Sequence, residues 1–418
     1  MDASACIATA TLLLVVALAV LRPHVGVRFT PGTAALAGVI VLLAARIIAP
    51  ADLVTAMRLQ WRPLLTLTCI MVMTGVVQEV GAFERLAAWI EVRARHRTAT
   101  WTFTLVFVLS VITPSLLNND AAILILTPLV VALVRRLYPG NGRLVIAFAF
   151  AVFLAPGVAP FIVSNPMNMI VAEFAGLHFN SYAAAMVPLC LAGATLTYAV
   201  LRLAFRRTLR DAVLGAPPPL TTIHRHPAEP AAVALMLAVF LAYPLCASLG
   251  VEIWHVALGG ALASLALGRA YRVAPLPKLA GHVSLDILLF LWGIFLVVQG
   301  LRAVGVVELL QALYGTEPHV ATVGVTSALG SALIDNHPMS ILNMLAIDAA
   351  SDPKPLLAAL VGGDIGPRLL PIGSLAGLLW IDLLRRHHVH ISLAAFVRLG
   401  TLVLVPTLAV SLAMLWLM

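Results

Sequence analysis

Asn118, Asn119 and Asp120 interrupt an apolar run, SLLNNDAAILILTP, and Asp335, Asn336 and His337 interrupt another, LIDNHPMSILNML. Two further stretches join polar residues to helix breakers. One is Ser164-Asn165-Pro166-Met167-Asn168; the other is GGDIGPRLLPIGS, which carries Gly363, Asp364, Arg368, Gly373 and Ser374. Asparagine and serine both donate and accept hydrogen bonds, and proline and glycine free backbone amides and carbonyls where they open a helix. Carboxylates and an imidazole in apolar surroundings can carry protons. This chemistry suits reversible binding of a small, polar, uncharged or weakly charged solute, with proton transfer close by. Asn118, Asn119, Ser164, Asn165, Asn168, Asn336, Gly363, Gly373 and Ser374 are the expected solute contacts. Asp120, Asp335, Asp364 and His337 are the expected proton carriers. Arg368, four residues after Asp364, is expected to pair with it structurally on one helix face. No cluster of Arg or Lys surrounds these patches, which argues against a di- or tricarboxylate.

The composition says where such patches must sit. Of 418 residues, 61% are hydrophobic and 11% charged, with a mean hydropathy of +1.03. A soluble domain carries roughly 25% charged residues. Apolar stretches recur along the chain, so the expected fold is all-α and polytopic in a membrane. Residues 5–21 lack a basic leader and a clear cleavage site, and are read as a retained first span. The net charge of +8 is read as a topology signal, with no nucleic acid partner. Cys6, Cys69, Cys190 and Cys246 form no C-x-x-C pair, and His387, His388 and His390 beside Arg385 and Arg386 read as a solvated corner, as do His224 and His226. No metal is expected. No nucleotide-binding or hydrolase motif is found, so this is not an enzyme, and no cofactor is expected beyond a proton gradient as the driving force.

Arginines fix the expected path. Clusters flank residues 100–138 on both sides: Arg93, Arg95 and Arg97 before, Arg135, Arg136 and Arg143 after. A single crossing would place one cluster outside, whereas a hairpin with its tip at Asn118–Asp120 keeps both in the cytoplasm. Alternation along the chain then gives about 10 spans, two reentrant hairpins (about 100–138 and 318–352) and two broken helices (about 143–176 and 355–384). Both termini are expected on the periplasmic side. Arg46, Arg58 and Arg62 fit this path least well. Glu79, Glu173 and Asp286 are read as interfacial.

The order of elements repeats. TGVVQEVGAFERLAAW resembles LVVQGLRAVGVVELLQAL, with Gln78 matching Gln299 and Glu84 roughly matching Glu308. LLNNDAAILIL matches LIDNHPMSILNML, and SNPMNMIVAEF parallels LPIGSLAGLLW. Residues 1–205 and 230–418 are thus expected as two repeats of opposite orientation, joined by a basic cytoplasmic linker, 206–229, containing APPPL. Inverted repeats with discontinuous helices place a transporter's binding site near the bilayer midplane.

At GGDIGPRLLPIGSLAGLLWIDLL, and again at LLNNDAAILILTPLVVAL, the chain resembles ArsB-type arsenite efflux permeases of the ion transporter superfamily. The resemblance spans nearly the whole chain. It implies export of arsenite and antimonite from a bacterial inner membrane, by exchange for protons or with a cytoplasmic ArsA-type ATPase subunit. Related branches handle sodium, silicic acid or dicarboxylates, so an NhaD-type sodium/proton antiporter or a transporter of silicic acid stays open. The Ser-Asn-Thr tip signature of the dicarboxylate branch is absent; the tips read Asn-Asn-Asp and Asp-Asn-His.

Overall fold

The computed structural model describes residues 3–22, 24–25, 27–215, 225–315, 319–348 and 352–418. The APPPL patch of the linker, His224 and the outer ends of the second hairpin's flanks lie outside the described residues. Apart from a ribbon pairing His24–Val25 with Val27–Arg28, every described element is helical. Among the described residues eight helical segments are long and apolar enough to cross a membrane: Ala3–Leu21, Pro50–Glu79, Ala99–Leu116, Phe179–Ala204, Glu229–Ser248, Ile253–Ala270, Leu276–Ala303, of which Leu285–Ala303 is one continuous helix, and Leu393–Leu417. Pro31–Ala44 is a further apolar helix of 14 residues, short against the roughly 20 that span hydrocarbon.

Two helix pairs stand where hairpins are expected. The first joins Ala99–Leu116 to Asn119–Leu137, the second Val320–Ile334 to Asn336–Ala346. Each turns on one residue with positive φ, Asn118 (158°) and Asp335 (78°). The side chain of each then caps the next helix. Asn118 Oδ1 accepts from the Ala121 amide at 2.8 Å, and Asp335 Oδ1 accepts from the His337 amide at 2.9 Å. The polar residue that looked costly in an apolar run is what ends one helix and starts another. Two discontinuous helices follow the same plan. Gly142–Leu154 breaks and resumes as Pro166–Phe174, capped by Asn165; Lys354–Ile365 breaks and resumes as Leu375–Arg386, capped by Ser374.

The repeat is visible in how the elements pack. Helix 31–44 lies along 285–303 and helix 50–79 along 253–270; helix 3–21 touches 285–303 as helix 229–248 touches 50–79. Helix 119–137 packs on 375–386, and 336–346 on 166–174. The arms Ala82–Ala94 and Val306–Tyr314 each rest on the second helix of their own hairpin. Both arms start from a left-handed glycine, Gly81 (φ 78°) and Gly305 (φ 80°), three residues before Glu84 and Glu308. An element that touches its partner's counterpart reciprocally is the mark of a two-fold relation between repeats. The two closing helices, 179–204 and 393–417, meet each other across it.

Helix Pro50–Glu79 begins well before its own apolar part. Proline at its first position and Asp52 Oδ2, which accepts from the Ala49 amide at 2.7 Å, start the helix in a polar stretch. That turns Arg62 toward Glu173 and Glu252, both at 3.0 Å, and accounts for an arginine that suited no loop. At the other end of the helix Glu79 meets Lys278 at 2.6 Å and His282 at 3.0 Å. Asp286 accepts from the Thr30 hydroxyl and, at 2.9 Å, from the Gly32 amide, tying helix 285–303 to helix 31–44.

Close approach between backbones fixes the second broken helix. A Cβ on Gly362 would lie 2.3 Å from Gly324 O, and one on Gly366 2.3 Å from Ala328 O. Small residues let membrane helices meet at backbone distance. Gly362→Ala should therefore cost about 1–3 kcal/mol by overpacking, seen as a lowered melting temperature in detergent; an unchanged melting temperature would mean that these helices can separate freely.

Candidate functional site

The four capping residues Asn118, Asn165, Asp335 and Ser374 are all buried. Asn165 does two jobs: its Oδ1 accepts from the Met167 amide at 3.1 Å, while its Nδ2 donates to Asp364 Oδ1 at 2.7 Å. Asp364 Oδ2 also accepts from the Ala159 amide at 2.9 Å and from Asn168 Nδ2 at 3.3 Å. The carboxylate of the second broken helix therefore sits inside the break of the first. Tyr182 completes this knot, accepting from Asn168 Nδ2 at 2.6 Å and donating to Ala159 O at 3.1 Å.

The expected pair between Asp364 and Arg368 does not form. The helix ends at Ile365 and tightens into a 3-10 turn over Gly366–Arg368, so four-residue spacing no longer puts both side chains on one face. Arg368, 2% exposed, donates instead to Leu154 O at 2.7 Å, Thr407 Oγ1 at 3.1 Å and Thr197 Oγ1 at 3.3 Å. Leu154 is the last residue of the first half-helix, whose carbonyl end carries partial negative charge. Arginine and aspartate, one turn apart on the second repeat, thus clasp the two sides of the first repeat's break.

Around the tips, several buried polar atoms are left without partners: Asn118 Nδ2, Asn119 Oδ1, Asn336 Oδ1 and Ser331 Oγ. Buried polar groups are nearly always paired, so an exception calls for an explanation. Asp120 is 7% exposed and lies within electrostatic reach of Asp335 and His337. His337 Nδ1 stands 2.6 Å from Asp335 Oδ1, and its ring meets the edge of Phe290. The two tips are therefore neighbours. Ser164 Oγ donates to Ser115 O at 3.2 Å, which holds the first break against the first hairpin. Between them lies a cavity of about 20 Å³ lined by Ser115, Asn119, Ser164, Asn165, Cys190 and Asp364, room for about one water. Gly363 and Gly373 are positions of close approach, to Ser340 Oγ (3.0 Å from a Cβ) and Ser331 O (2.9 Å); Ser374 Oγ is taken by the Gly377 amide at 3.0 Å.

Three groups that serve the site carried weaker sequence signals. Tyr182 is one of two tyrosines in an otherwise apolar helix. Asn343, two turns after Asn336, accepts from Tyr314 at 2.5 Å and donates to Ser327 at 3.0 Å, linking the second arm to the second hairpin. Thr197 and Thr407 looked like ordinary apolar-helix threonines.

A family model described as "ArsB: Arsenical pump membrane protein" matches residues 7–418. This chain belongs to the ArsB family. The match runs through both hairpins and both broken helices, so it covers every candidate site residue. An arsenical pump membrane protein of Escherichia coli K12 is 29% identical over 399 residues, covering 91% of this chain and 92% of that protein. One from Yersinia enterocolitica is 29% identical over 391 residues, 87% of each chain. The crystal structure of the Alcanivorax borkumensis YdaH transporter, described as having an unusual topology, aligns with a TM-score of 0.56 at 17% identity, over 100% of this chain and 98% of that one. At that identity the likeness concerns the fold alone. This ArsB-family chain is thus a multi-span membrane transporter with the all-helical fold its sequence predicts.

Proposed function

We propose that this protein exports arsenite and antimonite across a bacterial inner membrane in exchange for protons, conferring resistance to arsenic. One observation carries the reading: unpaired amide atoms of Asn118, Asn119 and Asn336 lie buried beside an ionisable cluster, Asp120, Asp335 and His337. Arsenite near neutral pH is mostly the neutral trihydroxide. Its hydroxyls can donate to Asn119 Oδ1 and Asn336 Oδ1 and accept from Asn118 Nδ2. Contacts of this kind are weak one by one, so the solute can leave on the far side. The name shared by the relatives points to the same substrate class.

Of the three carboxylates, Asp364 has both oxygens occupied by donors from the first break, which suits it to hold the site in shape. Among the described residues no hydrogen bond reaches the Asp120 carboxylate, which leaves it available to a proton or a solute. We take Asp120 as the principal proton carrier and the Asp335–His337 pair as its partner.

Two cavities of about 510 and 470 Å³ flank the arm 82–94, leaving the first hairpin room to shift against it. If the hairpins dip into the membrane and return, each repeat crosses an odd number of times and the second copy is inverted. Export then alternates as one repeat's tip, then the other's, opens to its own side.

Expression in an arsenite-sensitive bacterium should restore growth on arsenite and on antimonite. No protection from well-expressed, membrane-inserted protein would count against the reading. Cys190 is the one cysteine lining the tip cavity among the described residues, and a lone thiol cannot make a three-thiolate arsenic complex. Cys190→Ser should keep full resistance; a tenfold or greater loss would point to thiol coordination instead.

A further inference from the structure

A separate cavity, of about 340 Å³, lies where the base of the first hairpin meets the end of the second broken helix. Arg135, His388 and His390 are exposed at its rim; Tyr138, Val145 and Val389 are buried at its floor, and Asn141 completes it. No carboxylate is among its lining residues. Arg135 Nη2 donates to His387 O at 2.5 Å, which ties the end of helix 119–137 to the turn after helix 375–386.

The loop on the far side is built at a cost. His388 has φ 52°, with its amide on Arg385 O at 2.9 Å and the Val389 amide on Leu384 O at 2.8 Å. That is the left-handed position closing a helix, normally given to glycine. A histidine held there is strained, and strain of this kind gathers at ligand sites.

We propose that this cavity binds a phosphate-type oxyanion, carried by an anionic lipid headgroup or free in solution. Arginine supplies a planar fork that matches phosphate oxygens, two imidazoles add donors, and the apolar floor suits the carbon that follows a headgroup. A bound anion would bridge the first repeat's hairpin to the second repeat's broken helix, so its occupancy would stiffen the joint between them. Anionic lipids concentrate at basic clefts between membrane helices.

The test uses the whole protein, purified, with phosphatidylglycerol, phosphatidylcholine or inorganic phosphate as probe. Native mass spectrometry and thermal shift are recorded for the parent and for the triple variant Arg135→Ala, His388→Gly, His390→Ala. His388→Gly alone serves as the folding control, because glycine suits φ 52° and should leave the melting temperature unchanged or higher. Retention of phosphatidylglycerol over phosphatidylcholine, weakened at least tenfold in the triple variant, supports a lipid headgroup. Stabilisation by inorganic phosphate without lipid preference, lost in the same variant, supports the free anion. Equal behaviour of parent and triple variant toward all three probes overturns the proposal.

Discussion

Asp120→Asn is expected to abolish proton-driven arsenite accumulation in everted vesicles while leaving the protein folded. Asparagine keeps the shape of the side chain and can still donate and accept, but it cannot release a proton at any working pH. With one proton exchanged per solute, an imposed gradient of one pH unit supports about tenfold accumulation; the variant should fall to equal concentrations on both sides. The substitution should be silent in thermal unfolding, because no hydrogen bond holds the Asp120 carboxylate in place among the described residues. Full accumulation by the variant would move the proton to Asp335 and His337 and reduce Asp120 to a polar wall of the site.

The second large effect is expected on stability. Arg368→Met should lower the melting temperature by roughly 5–10 °C, through a loss of about 2–3 kcal/mol. The hydroxyls of Thr197 and Thr407 keep their own helical partners, Gly193 O and Val403 O at 2.8 and 2.7 Å. Leu154 O does not, and a buried carbonyl without a donor is what the loss measures. Arg368→Lys should recover only part of it, since one ammonium cannot replace a planar fork that reaches three acceptors on three helices. A variant that melts like the parent yet fails to transport would place Arg368 on the solute path and contradict its role as a clasp.

These two residues also show what could and could not be read from the chain. Polar residues in apolar runs located both tips and both breaks, because only a helix end or a partner makes such burial tolerable: Asn118, Asn165, Asp335 and Ser374 each prove to be the cap of a resuming helix. Local spacing failed where backbone geometry changed. Asp364 and Arg368 are four apart, but a 3-10 turn rotates the arginine away: Asp364 finds its partners, and Arg368 two of its three, in the other repeat. Such contacts, between residues some two hundred positions apart, leave no local pattern. The early start of helix Pro50–Glu79 has a different origin: hydropathy marks only its apolar part, whereas Pro50 and Asp52 begin the helix before it. Gln78 and Gln299 pair the arms three residues out of step with Gly81 and Gly305, each of which opens an arm in the left-handed conformation; the step between those glycines is the same one that separates Glu84 from Glu308.

The central claim is that the tip cluster exchanges a neutral metalloid hydroxide for protons. Arsenite uptake into everted vesicles containing the parent protein, under an imposed pH gradient and with or without sodium, tests it most directly. The account predicts uptake that needs the pH gradient, collapses when a protonophore dissipates it, and is indifferent to sodium. Uptake that requires sodium, or no arsenite uptake beside a sodium-dependent proton flux, would contradict it.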